Sequence, residues 1–137
     1  MGKSVRDTMT SQPTSIDASQ SVVDAARVMR DEDVGSLPVT DQGRLVGVIT
    51  DRDIAVRIVA EGRTESASVA EALSRNPVTV TPDHDLDDAL KLMARHQVRR
   101  LPVVDGDELV GIVAQADVAL TAKEKKTGEL IESISEH

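Results

Sequence analysis

The chain has 137 residues, 24 acidic against 16 basic for a formal net charge of −8, and no Cys, Phe, Tyr or Trp. Those facts exclude disulfide frameworks, thiolate metal sites, cysteine nucleophiles and aromatic stacking of a base, and the negative charge repels nucleic acid and anionic membrane surfaces. With 39% of its residues hydrophobic, the chain is long enough for one compact module whose core must be Val, Ile, Leu, Ala and Met.

The start, Met1-Gly2-Lys3-Ser4-Val5-Arg6-Asp7, contains no apolar signal core, and every apolar run is too short to span a bilayer. A soluble cytoplasmic protein is expected, with neither membrane nor nucleic acid as partner. A short strand is predicted at Thr14-Ser15-Ile16. Ser21-x-x-Asp24 then marks a helix start, and Val22, Ala25, Ala26 and Met29 follow at helical spacing. Leu37-Pro38-Val39, a turn at Asp41-Gln42-Gly43, and Leu45-Val46-Gly47-Val48-Ile49 read as a hairpin of two short strands. A second helix begins near Asp51. Glu61-Gly62-Arg63-Thr64-Glu65-Ser66 reads as a short polar connector.

The order then repeats. Shifted by 64 positions, Asp24-Ala25, Met29, Val34, Leu37-Pro38-Val39, Asp41, Leu45-Val46-Gly47 and Asp53 fall without a gap on Asp88-Ala89, Met93, Val98, Leu101-Pro102-Val103, Asp105, Leu109-Val110-Gly111 and Asp117. The second copy has its own strand at Val78-Thr79-Val80, a helix start at Asp85-x-x-Asp88, a hairpin and a helix near Gln115. One β-α-β-β-α unit has been duplicated. Two copies of that length make a pair of half-domains packed about a pseudo-two-fold axis, an α+β (α/β) fold, rather than a solenoid. The expected organisation is repeat 1 over 1–64, repeat 2 over 65–122 and a tail over 123–137, in which Leu130, Ile131 and Ile134 offer a final amphipathic turn or a frayed end.

Val34-Gly-Ser-Leu-Pro-Val39 and Leu45-Val-Gly-Val-Ile-Thr-Asp-Arg-Asp53, with their repeats at 98–103 and 109–117, resemble the CBS domain, here as a tandem pair or Bateman module. The Thr-Asp-Arg-Asp and His-Gln-Val-Arg-Arg stretches at 50–53 and 96–100 are similar to those of small stand-alone bacterial members, the hypoxic-response type among them. The resemblance covers nearly the whole chain. It implies two units packed through their sheets, two related clefts that take an adenosyl ligand (AMP, ADP, ATP or S-adenosylmethionine), and a homodimer of modules. A pseudo-symmetric pair is expected to bind where its halves meet on its own account.

The resemblance also assigns residues. Asp53 would take two ribose hydroxyls, with Thr50 contacting phosphate or ribose; a carboxylate suits this because it only accepts, from two adjacent O–H donors at once. Thr50-x-x-Asp53 is equally a helix capping box by its spacing. In the second copy Asp117 persists while Ala114 replaces the threonine. Arg99 and Arg100, matched by Gly35 and Ser36 in the first copy, would reach ligand phosphates through a planar fork. One cleft would then combine Asp117, Arg99 and Arg100 with Val34, Thr14 and Ile16 around the base, and the other Thr50 and Asp53 with Val98, Val78 and Val80. Asp83-His84-Asp85 lacks a second histidine at ligand spacing and reads as the cap region of a helix, so no metal site is expected.

A regulatory module that senses an adenosyl compound and signals through association with a further protein is the expected function, with no obligatory cofactor. The alternative is a structural or stress-associated dimer with vestigial clefts. Nothing in the sequence sets a nucleophile beside a base or supplies a catalytic metal, so an enzyme is not expected.

Overall fold

The computed structural model describes residues 3–63 and 65–121. Its strands are β1 (Thr10–Ser11), β2 (Ile16–Asp17), β3 (Ser36–Asp41), β4 (Arg44–Thr50), β5 (Arg100–Asp105) and β6 (Glu108–Ala114). Its helices are α1 (Val22–Glu32), α2 (Asp51–Ile54) continued by a π turn (Ala55–Val59), α3 (Val69–Ala72), α4 (Leu86–His96) and α5, followed from 115 to 121. The predicted tail and its amphipathic turn lie outside the described residues.

The chain forms two compact units, and they do not follow the halves of the sequence. One comprises Gln12–Pro77 with Val104–Leu109; the other comprises the chain up to Ser11, Val78–Val103 and the chain from Val110 on. Residues 3–11 open the stretch expected as the first repeat, yet they belong to the unit built from the second.

In the first unit β2 pairs parallel with β3, and β3 pairs antiparallel with β4 from Ser36 opposite Thr50 to Asp41 opposite Arg44. The turn between them puts Gln42 and Gly43 at φ 54° and 81°, the left-handed pair that matches the twist of a two-residue hairpin. Helix α1 starts where the sequence places it: the Ser21 hydroxyl accepts from the Asp24 N–H at 3.0 Å. Its Val22, Ala25 and Met29 join Ile16, Leu37, Val39, Ile49, Ile58, Ala67, Val69, Ala72 and Leu73 in an aliphatic core.

The second unit repeats this plan. Helix α4 buries Leu86, Ala89 and Met93 against Val5, Val80, Leu101, Val103, Val113 and Val118. Asp85 stands at its N-cap position without a side-chain cap bond, so its carboxylate serves the helix through the dipole alone. Strand β1 pairs antiparallel with β6, and Val80 bridges Val103 in parallel.

Helix α3 was not expected, since its residues adjoin the stretch read as a connector. Glu71 reaches back to the Ser68 N–H at 2.7 Å, and Val69 and Ala72 are buried. Ser4 and Asp7 make the same reciprocal cap, with the Ser4 N–H donating to Asp7 at 2.9 Å. The 64-residue register runs further than the sequence motifs show. Val69 N–H donates to Gln20 O at 2.8 Å and Val22 N–H to Ala67 O at 3.0 Å in one unit; Val5 N–H donates to His84 O at 2.8 Å and Leu86 N–H to Lys3 O at 3.0 Å in the other. Each unit thus ties a short capped turn across the start of its long helix.

Candidate functional site

Thr50 ends β4 in extended conformation, at φ −115° and ψ 161°, and α2 begins at the next residue. The Asp53 N–H donates to Thr50 Oγ1 at 3.0 Å, and the Thr50 N–H donates to Asp53 Oδ2 at 3.0 Å. The capping box is therefore formed. It holds a carboxylate at the mouth of a strand-to-helix junction with its side chain 13% exposed. The Ser74 hydroxyl lies 3.4 and 3.3 Å from the two carboxylate oxygens, and Arg57 Nε lies 3.9 Å from Oδ1. Ser74 and Arg57 escaped the sequence reading. The spacing of Asp53 and Arg57 at i,i+4 was visible there; the approach of Ser74, from 21 residues further along, was not.

The first unit also holds Thr14, Ile16 and Val34. Thr14 is exposed, with its hydroxyl 3.5 Å from Glu32 Oε1, Val34 is half-buried, and Ile16 is sunk in the core at 2% exposure. Ile16 accordingly has backbone rather than side chain to offer a ligand.

In the second unit Asp117 lies half-buried on α5, and Ala114 at the end of β6 supplies no hydroxyl to match Thr50. The Gln115 N–H donates to Arg99 O at 2.8 Å, just as Asp51 N–H donates to Gly35 O at 2.9 Å in the first unit. The pairs differ in charge. A Cβ at Gly35 would stand 3.1 Å from Asp51 Oδ2, so a glycine accommodates the acid there, while the other copy has Arg99 and Gln115 at these positions. Arg99 and Arg100 are both exposed, Val98 is 37% exposed, Val78 is half-buried and Val80 is a core residue at 1%.

His84 is used locally: its Nδ1 accepts from the Thr81 N–H at 3.0 Å ahead of α4. Its neighbour Asp83 pairs with Arg6 at 2.7 Å. Among the described residues, no three of His, Cys, Asp and Glu come together to hold a metal ion.

One further surface lies wholly in the first unit. Val22, Val23, Ala26, Ile54, Ile58 and Val59 line a groove of about 340 Å³ between α1 and the α2 helix with its π turn, with Arg27 and Arg30 at its edge. Val59 of that lining is 56% exposed, Val56 on the same turn is 51% exposed, and Leu120, the counterpart of Val56 in the 64-residue register, is 58% exposed. No described helix is long and apolar enough to cross a membrane.

The CBS domain model matches residues 5–60 and 69–123. CBS domain-containing protein YhcV of Bacillus subtilis is 44% identical over 133 residues, covering 96% of this chain and 95% of that protein. Hypoxic response protein 1 of Mycobacterium tuberculosis is 35% identical, covering 94% and 92%. Among solved structures, CBSX2 in complex with AMP superposes with a TM-score of 0.82 at 28% identity, covering 91% of this chain and 99% of that one. The CBS domain pair of MJ0100, in complex with 5′-methylthioadenosine and S-adenosyl-L-methionine, superposes with a TM-score of 0.78 at 28% identity over the same shares. Two matched segments, a full-length relative at 44% identity and the duplicated mixed α+β unit together place this chain in the CBS domain family, as a tandem pair.

Proposed function

We propose that the chain is a regulatory module that binds an adenosyl ligand, an adenine nucleotide or S-adenosylmethionine, and signals by changing its association with a protein partner. The observation that carries this reading is Asp53: a part-buried carboxylate fixed at a strand-to-helix junction by Thr50 and Ser74, in a fold shared with CBSX2 in complex with AMP. Such a carboxylate suits a vicinal diol. In the second unit Asp117 takes the same part, and the exposed Arg99 and Arg100 suit ligand phosphates. Neither junction pairs a nucleophile with a base among the described residues, which favours binding over catalysis. The apolar groove between α1 and α2 suits a second copy of the chain.

A second reading, a structural dimer with vestigial ligand sites, is favoured by Ala114 and by the fact that Asp53 already finds its partners within its own unit.

Absorbance decides between them. A chain without Phe, Tyr or Trp is nearly transparent from about 260 to 280 nm, so a band near 260 nm that survives desalting and leaves on denaturation reports a tight purine ligand. For a weaker ligand, AMP at about a hundred times its dissociation constant stabilises the fold by about 2.7 kcal/mol, visible as a raised Tm. A flat spectrum together with an unmoved Tm for AMP, ATP and S-adenosylmethionine would select the structural reading.

A further inference from the structure

Arg57 lies in the middle of the π turn that follows α2, a turn closed by the Ala60 N–H donating to Ala55 O at 2.9 Å. Its guanidinium does two things at once. Nη1 donates to Ala72 O at 3.2 Å and Leu73 O at 2.9 Å, the carbonyls at the end of α3, while Nε faces Asp53 at 3.9 Å. The strap that these bonds hold carries Ser74, whose backbone exchanges hydrogen bonds with Val48 on β4 at 2.8 and 3.0 Å and whose hydroxyl approaches Asp53. Asp53 is thereby flanked on one side by its cap and on the other by a strap pinned through Arg57.

The described residues of the second unit have no such arrangement. In the 64-residue register Arg57 becomes Thr121, Ala72 becomes Thr8, Ser74 becomes Thr10 and Thr50 becomes Ala114. Thr121 Oγ1 meets Thr8 Oγ1 at 3.1 Å, a neutral pair in place of a cation on two carbonyls. Ala114 has no hydroxyl with which to cap the turn of Asp117, and position 121 carries threonine where the first unit has Arg57. With its side chain 49% exposed, Arg57 contributes little Coulombic energy to Asp53. Its effect is geometric: a carboxylate whose rotation is already restricted loses less entropy when it takes two hydroxyls.

We propose that Arg57 is a positioning residue for Asp53, which makes the Asp53 junction the preorganised ribose site of the pair and leaves the Asp117 junction to be ordered by its ligand. The proposal rests on the adenosyl reading above.

The test uses the full chain with Asp117→Ala throughout, so that the Asp53 junction alone reports, and titrates adenosine and 2′-deoxyadenosine into proteins with Arg57, Arg57→Lys and Arg57→Gln. With Arg57 present, adenosine is expected to bind about tenfold more tightly than its deoxy analogue, the loss of one hydroxyl on a carboxylate. In Arg57→Gln that preference falls toward parity, and Arg57→Lys keeps part of it. A purely structural role would weaken both nucleosides alike, and an unchanged preference in Arg57→Gln overturns the proposal. Should neither nucleoside bind when Arg57 is present, amide hydrogen exchange of the ligand-free chain decides the positioning claim, and the adenosyl reading falls only when AMP, ATP and S-adenosylmethionine also fail on the parent chain. Arg57→Gln is expected to speed exchange at Asp53 and Ser74 relative to Val39, and unaltered exchange there refutes it.

Discussion

Gly47 lies directly beneath the carbonyl of Ser74: a Cβ at position 47 would stand 2.5 Å from that oxygen and 2.6 Å from Leu73 Cδ1. Gly111, its counterpart 64 residues on, has Met9 Sδ at 2.7 Å and Thr10 O at 3.0 Å. Each glycine is the point where a backbone strap crosses its hairpin, and absence of a side chain is what lets the strap bond to the strand.

Gly47→Ala is expected to destabilise the fold by about 2–3 kcal/mol, because backbone must move to make room. Gly111→Ala should cost about 1 kcal/mol less, since its tightest neighbour is the end of a flexible methionine side chain. Urea unfolding of the two variants checks the order. Equal losses would mean that the two straps are equally rigid.

Three carboxylates, Asp7, Asp17 and Glu71, make stability depend on acid. Backbone and hydroxyl donation from Ser4 holds Asp7 below its ordinary 3.8, the Ser19 hydroxyl and then its N–H do so for Asp17, and the Arg63 guanidinium followed by the Ser68 N–H hold Glu71 below 4.5. A depressed carboxylate stabilises the fold fully above its unfolded value, and that contribution disappears as the pH falls through the lower folded value. The urea midpoint should therefore hold steady near neutrality and drop on acidification below about 4.5, the ordinary value for Glu. Glu71→Gln should flatten part of that drop while changing the neutral midpoint little, as expected for an exposed pair. A variant with the parent's acid slope would show that Glu71 has no share in it.

If a second copy covers the groove between α1 and α2, the chain sediments as a dimer and Val59→Asp as a monomer. Val59 is 56% exposed, so the substitution should alter the stability of the separated chain by no more than about 0.5 kcal/mol. Circular dichroism confirms that the variant is folded. Sedimentation velocity of the parent as a monomer across its accessible concentrations would refute the assignment of that groove.

Much of this protein was decided by local and periodic information. The 64-residue repeat, the helix start at Ser21, the hairpin turn at Gln42-Gly43, the core methionines Met29 and Met93 and the cap of Thr50 with Asp53 all follow from patterns within one element or from comparing the two copies. Side-chain period and turn chemistry act over a few residues, so a sequence displays them. Helix α3 is four residues long, too short to show a period, and its Ser68-x-x-Glu71 cap follows directly on the polar connector. That residues 3–11 join the second repeat's unit, and 67–77 the first's, was decided only in three dimensions. The bonds that fix it, such as Val69 to Gln20 and Val5 to His84, link residues far apart in the chain. The surroundings of Asp53 arose the same way. Arg57 reaches carbonyls 15 and 16 residues away, and only the close crossing of a strap over Gly47 brings them within range of a hydrogen bond.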